Sequence, residues 1–327
     1  MKKKSKIIIF LLAVFLLTGC TEQLVVKKTN EKGKKVKEVI KYDVGKNATG
    51  QSLTKNILCK PSNAELAKLY KDNGVNTDEI VQCEKFKPTI NIKEGLWDNI
   101  FIKPLSWLIL KLGYLVKNFG LAVILAGLAI RLILYPVTKK SAMQSENLNK
   151  AQPELQKLEK KYSNKMDDQQ AMLQKSQEMM AIYKKYDISL FSGCLLAIVQ
   201  LPLFIAFLEA INRTPAIFEG TFLGLQLGTT PWFALSKGNF FYLIIPILVF
   251  IVTFFSLKLN GTQATDTSNP AAGSTKMMMN VMIVIITISS LQLSTAIGLY
   301  WITSSLFTII QNLLVKRSTG HAKIRKS

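Results

Sequence analysis

The sequence predicts an all-α integral membrane protein with five transmembrane helices, a cytoplasmic helical hairpin and an outer interfacial helix. Three observations carry that expectation. Hydrophobic residues make up 49% of the 327, and they collect in long runs while lysines crowd the connections. Runs of about 18 or more apolar residues can cross a hydrocarbon core roughly 30 Å thick. The formal net charge is +21, but its lysines flank the apolar runs, where they set topology and meet anionic headgroups. That placement argues against nucleic acid as a direct substrate. The third observation is Arg131, a charge inside the otherwise apolar Leu121–Leu134.

Residues 1–19 have the layout of a signal peptide: basic Met1–Lys6, then apolar Ile7–Leu17. Leu17-Thr18-Gly19-Cys20 resembles a bacterial lipoprotein signal box, so Cys20 is expected to carry diacylglycerol and an N-acyl chain such as palmitate. The mature N-terminus would then start outside the cell. Residues 20–93 form an exported segment. Its stretch 21–56, rich in Lys, Asn and Thr, is expected to be a flexible tether. Cys59 and Cys83 lie where disulfides persist, and a bridge between them would contribute about 3 kcal/mol. Ser62-Asn63-Ala64-Glu65 reads as a capping box opening a helix that Asn73-Gly74 closes. A second stretch from Asp78 would complete a small helical hairpin. Residues 94–117 are apolar but broken by Lys103-Pro104 and Lys111. With Trp97, Trp107 and Tyr114 they suit an amphipathic helix in the outer interface.

The core, 118–316, holds five expected spans: Phe119–Val137, Leu190–Ile211, Phe240–Leu257, Met277–Leu291 and Thr295–Val315. An outside N-terminus puts the basic tail 317–327 and the Lys139-Lys140 border in the cytoplasm, as the positive-inside tendency requires. Within 139–187, Leu148, Ala151, Leu155, Leu158 and Tyr162 recur at helical steps, and Ser163-Asn164 interrupts them. Asp167 would cap a return helix bearing Met172, Met179 and Tyr183. The pair would make an antiparallel hairpin, with a solvated spacer as the plain alternative. Loop 260–274 reads as a connection, and Cys194 as a packed thiol.

Arg131 costs at least about 2.5–3.5 kcal/mol on insertion scales. Snorkelling to the inner interface is one account of it; a wet cavity open to the cytoplasm is the other. Gln200 lies at a comparable depth in the second span. Ser304, Thr308 and Gln311 share one face of the fifth span, continued by Trp301. Helix packing could also satisfy such groups. The spans hold no carboxylate at the depth of Arg131, Glu209 being near an outer end, which argues against a proton- or sodium-coupled transporter. With a single histidine, His321, and no metal-spaced cluster or nucleophile elbow, neither a catalytic centre nor a metal site is expected. Lipid on Cys20 is the sole expected prosthetic group.

Several separated motifs together resemble the YidC membrane-protein insertases over about Glu94 to Lys316. They are Arg131-Leu132-Ile133-Leu134-Tyr135-Pro136, Gln152-Pro153-Glu154-Leu155, Met179 to Tyr186, Gly193-Cys194-Leu195, Gln200-Leu201-Pro202-Leu203-Phe204, Gly298-Leu299-Tyr300-Trp301 and Gln311. The lipoprotein box resembles the Gram-positive branch. The resemblance implies an ATP-independent insertase and chaperone. Its groove would be lined by Arg131, Gln200 and Trp301, and its partners would be nascent membrane proteins, lipid, the Sec translocon and the ribosome. The sequence departs from the family at Phe254-Phe255-Ser256-Leu257, where glutamine is common, and at the turn Leu293-Ser294-Thr295-Ala296. The Cys59–Cys83 unit has no counterpart. A small-solute transporter or channel using the same cavity is the competing function, and a lipoprotein that only assembles with partners is a third.

Overall fold

A computed structural model describes residues 22–29, 35–43, 45, 47–91, 94–163, 168–189, 192–259 and 270–324. The signal segment, Cys20, Asp167, most of loop 260–274, the last three residues and the Cys194 side chain lie outside the described residues. The chain divides into two compact units. One takes the residues up to Gly127 with Leu201–Pro246 and Ser289–Trp301; the other takes Leu128–Gln200, Ile247–Ile288 and the stretch from Ile302 onward.

The first unit corrects the expected tether. Strands β1 (Val25–Thr29) and β2 (Lys35–Val39) pair antiparallel from Val25 opposite Val39 to Thr29 opposite Lys35. Strands β3 (Lys41–Tyr42) and β4 (Gln51–Ser52) form a second ribbon. The cause is a sparse set of large apolar residues. Leu24, Tyr42, Leu53 and Ile57 are buried with Leu66, Tyr70 and Phe218 in one cluster, and their burial outweighs the lysine-rich composition. The protein is mostly helical, consistent with the expected all-α membrane class, with short β-ribbons added.

Helix α1 (Ala64–Asp72) is present, but its cap is Asn63 rather than Ser62: Oδ1 of Asn63 accepts from the backbone N–H groups of Glu65 and Leu66. Ser62 is drawn elsewhere, its N–H donating to Glu219 at 3.1 Å. Gly74 follows the C-cap Asn73 with φ +83°. The expected second helix is reduced to the short 3₁₀ turn Cys83–Lys85. A disulfide joins Cys59 to Cys83, both buried.

Gly95–Val116 is a continuous helical run, one α-turn and a π-turn (Asp98–Ile102) leading into α2 (Lys103–Val116). The Lys103-Pro104 interruption does not break it. Pro104 is the second residue of α2 and follows directly on the π-turn, where the i−4 ladder is already interrupted. Lys103 is buried, pairing with Glu94 and donating to the Thr89 carbonyl at 2.9 Å. At 22 residues this unbroken run is, by length and composition, also long and apolar enough to cross a membrane.

The first expected span ends early. Helix α3 (Phe119–Ile133) is followed by α4 (Tyr135–Tyr162) with a bend of 73°, because Pro136 cannot continue the hydrogen-bond ladder of the helix before it. The remaining elements are α5 (Gln169–Lys185), α6 (Ser192–Asn212), α7 (Pro215–Glu219), the ribbon β5 (Thr221–Phe222) and β6 (Leu225–Gln226), α8 (Pro231–Ser236), α9 (Ile244–Leu259), α10 (Pro270–Gln292) and α11 (Thr295–Ile324). Among the described residues three helices are long and apolar enough to span a membrane, or four if the bent pair counts as one. In the first unit Gly298 lets α11 approach closely, since a Cβ there would lie 2.3 Å from Cγ2 of Ile245.

In the second unit α4 and α5 pack through Leu158, Tyr162 and Ala171, with Met179 and Ile182 alongside. Lys161 pairs with Glu178 at 2.7 Å and Lys185 with Glu154 at 2.6 Å. These lysines hold both carboxyls below the usual range. The α5 cap is Asp168, whose Oδ1 accepts from the N–H groups of Gln170 and Ala171. Met172, expected at the seam, is exposed instead; Ala171 takes its place.

Candidate functional site

Arg131 lies in the last turn of α3 and is 2% exposed. Burying a guanidinium costs several kcal/mol unless hydrogen bonds replace its water. Its Nε donates to Ser304 Oγ at 3.0 Å, and Nη2 donates to both Ser304 Oγ and Gln200 Oε1. These two oxygens belong to α11 and α6, so three expected site residues from distant parts of the chain meet. The helical spacing read from the sequence holds along α11. Thr308 Oγ1 donates to the Ser304 carbonyl at 3.0 Å, and Gln311 Nε2 donates to Thr138 Oγ1 at 3.0 Å.

Arg131, Ser304, Thr308 and Gln311 are all buried, and Gln200 is half-buried. The polar face expected to stand wet is thus closed on itself in this structure. Thr138 was not anticipated, being assigned to the border of the first loop. Its place seven residues after Arg131, at helical spacing, was the available signal, but the 73° bend falls between them. Trp301 belongs to the first unit. It meets Phe204 edge-on with ring centroids 5.0 Å apart, while Phe207 stacks on Tyr300 at 3.9 Å.

A second buried charge cluster lies in the first unit. Arg213, just past α6, binds Asp98 in a two-pronged pair at 2.9 and 2.8 Å. Its Nε donates to the Asn56 carbonyl at 2.8 Å, and Glu209 stands 3.7 Å away. Nearby on the chain, the Glu219 carboxylate accepts from the Ser62 and Asn63 N–H groups, both at 3.1 Å. Burial pushes the Glu219 carboxyl up despite those bonds. Among the described residues no group of His, Cys, Asp and Glu is suited to a metal.

The family model described as 60Kd inner membrane protein matches residues 111–322. Over 234 residues the chain is 35% identical to membrane protein insertase YidC of Oceanobacillus iheyensis, covering 71% of this chain and 88% of that one. Membrane protein insertase MisCA of Bacillus subtilis is 35% identical over 236 residues, 72% and 85% of the two chains. Membrane protein insertase YidC 2 of Bacillus anthracis is 36% identical over 236 residues, 72% and 87%. The solute-transporter alternative finds no support among these relatives. Three or four helical elements of membrane-crossing character among the described residues, a buried arginine bound by two other helices, and this agreement over most of the chain lead to one conclusion: the protein belongs to the 60Kd inner membrane protein family and is a bacterial YidC-type membrane protein insertase, not an enzyme.

Proposed function

We propose that this insertase moves short exported segments and hydrophobic spans of nascent membrane proteins into the bilayer through an arginine-containing groove, without ATP, alone or with the Sec translocon and ribosome. Arg131 carries the reading. It is a buried cation whose described hydrogen bonds go to uncharged oxygens of Gln200 and Ser304. Hydroxyl and amide partners can exchange with water or with a substrate's polar groups at small net free-energy change. The groove opens when α11 and α6 let go of the guanidinium, which then attracts an acidic or polar exported segment. Thr308, Gln311 and Trp301 line the same helix. Five spans form the core, 118–316, with the α4–α5 pair as a cytoplasmic hairpin that meets the substrate first. Gly95–Val116 lies in the outer interface, Cys20 holds the N-terminus to the outer leaflet through its lipid, and the basic tail stays in the cytoplasm.

Purified protein in liposomes tests this. Wild type should integrate a one- or two-span substrate with a charged exported tail in the absence of ATP. Arg131→Ala should express normally and lose that insertion. If Arg131→Ala and Arg131→Lys both insert at wild-type rates, the arginine-groove mechanism is wrong.

A further inference from the structure

Beyond its π-turn, the helix Gly95–Val116 has two unlike faces. Leu105, Ser106, Ile109, Leu110 and Gly113 are buried in the first unit. Trp107, Leu108, Lys111, Tyr114 and Leu115 share the other side at helical spacing and are half-buried or exposed, Leu115 to 77%. Lys111 is the one charge on that outward face. A cavity of about 340 Å³ adjoins it, walled by Trp107 and Lys111 and by Glu84, Lys85, Phe86 and Lys87. Its size falls at the lower end of the roughly 300–1,000 Å³ of ligand pockets.

Lys85 and Lys87 are placed by their neighbours. Phe86 between them is buried and extended (φ −60°, ψ 131°), which leaves the lysine on either side of it at the surface. Two residues before Lys85 the disulfide ties Cys83 to Cys59, and the 3₁₀ turn Cys83–Lys85 packs on α2. Among the described residues the side chains of Lys85, Lys87 and Lys111 take part in no hydrogen bond or ion pair. Lys103, on the buried side of the same helix, is by contrast paired with Glu94. Three lysines against Glu84 leave the cavity wall at +2. Such a wall attracts an anion, and a cation on an apolar membrane-facing stripe is costly without one. Tryptophan and lysine one helical turn apart suit the depth of lipid headgroups. A soluble anion would answer the lysines but leave Trp107, Leu108 and Leu115 uncovered; an anion carrying acyl chains answers both.

We propose that Lys85, Lys87 and Lys111 hold the phosphate of one anionic phospholipid of the outer leaflet, with its acyl chains along Trp107, Leu108 and Leu115. The inference rests on the placement of Gly95–Val116 in the outer interface. It gives that helix a fixed lipid partner, set by the disulfide-bonded turn beside it.

The test uses full-length protein with p-benzoylphenylalanine replacing Trp107, in liposomes of equal phosphatidylglycerol and phosphatidylcholine with matched acyl chains. Illumination and mass spectrometry of the labelled peptide identify the lipid that lies there. Each net positive charge at an anionic lipid is worth about fivefold, so phosphatidylglycerol adducts should be in about 25-fold excess. Lys85→Gln, Lys87→Gln and Lys111→Gln together should bring the two adducts to parity or below, with an unchanged thermal midpoint, since all three side chains are exposed. The matching triple arginine variant should keep the excess, as should Lys41→Gln, Lys55→Gln and Lys68→Gln elsewhere on the unit. Equal adducts in the protein with its lysines intact, or an excess that survives the glutamine triple, overturn the lipid site and leave the helix in the interface. Inorganic phosphate that abolishes the excess, where chloride at equal ionic strength does not, marks a soluble-anion site and overturns the proposal too. No lipid adduct at position 107 or, in a second variant, at position 115 overturns the interface placement and the site with it. The Arg131 groove is scored separately, by insertion.

Discussion

Removing Asp98 tests the buried cluster that joins the Gly95–Val116 helix to the end of α6. Arg213 is 3% exposed, and the Asp98 carboxylate takes both of its terminal nitrogens. Breaking a buried pair from one side costs about 3–5 kcal/mol, because a desolvated charge is left behind. In Asp98→Ala the guanidinium retains the Asn56 carbonyl at 2.8 Å and has Glu209 3.7 Å away. The lower end, about 3 kcal/mol, therefore applies, which raises the opened population about 150-fold. Trypsin digestion of the detergent-purified protein reads this directly, since cleavage follows the opened population when reclosing is fast. Asp98→Leu with Arg213→Met removes both charges and should digest nearly as slowly as wild type. Acceleration by Asp98→Ala of less than about threefold, or a double variant as labile as the single one, would refute the reasoning.

Other outcomes are expected from the same unit. Replacing Cys59 and Cys83 by serine opens a loop of sequence separation 24 and should destabilise the surrounding residues by about 3.5 kcal/mol, seen as a matching fall in trypsin resistance that dithiothreitol reproduces in wild type. Gly50→Ala should cost about 1–3 kcal/mol, because φ is +68° and the new Cβ would lie 2.4 Å from Cγ of Phe233; faster amide exchange across 40–53 would report it. For Glu219, burial raises the folded pKa above the ordinary 4.5, so the folded state binds the proton more tightly. Stability of this unit should therefore fall as pH rises from 4.5 through the folded value, and Glu219→Gln should flatten that slope in a pH series of denaturation midpoints.

The helical skeleton and the Arg131 cluster were legible because each rests on local signals. An isolated charge in an apolar run and a 4-3 spacing on α11 need no knowledge of distant chain to be noticed. Even so, spacing alone could not say that Ser304 and Gln200 would bind the guanidinium rather than face water. That is decided by how closely the helices pack. The Asp98–Arg213 pair was missed because its members are 115 residues apart and each, alone, resembles an ordinary polar residue at the end of an apolar stretch. The β-ribbons were missed for a different reason. The two-residue strands β3 and β4 have no periodicity to read, the five-residue β1 and β2 are rich in lysine, and Leu24, Tyr42 and Leu53 gain their burial from α1 and Phe218, not from one another alone. At Lys103-Pro104 the composition misled, since a buried ion pair and a proline set directly after the π-turn remove the penalties that it suggested.

The hydrogen bond between Gln51 and Asn212 joins residues 161 apart, and Arg213 reaches back as far to Asn56. Time enters through that separation. A ribosome adding about 5–20 residues per second makes the N-terminal partner of each bond wait roughly 8–30 s for the other to be synthesised. Over that interval the early segment holds what it can form alone, the β1–β2 and β3–β4 ribbons, the Cys59–Cys83 ring and α1 with its Asn63 cap. The insertase thus completes its first unit late, after its first apolar helices have already been made.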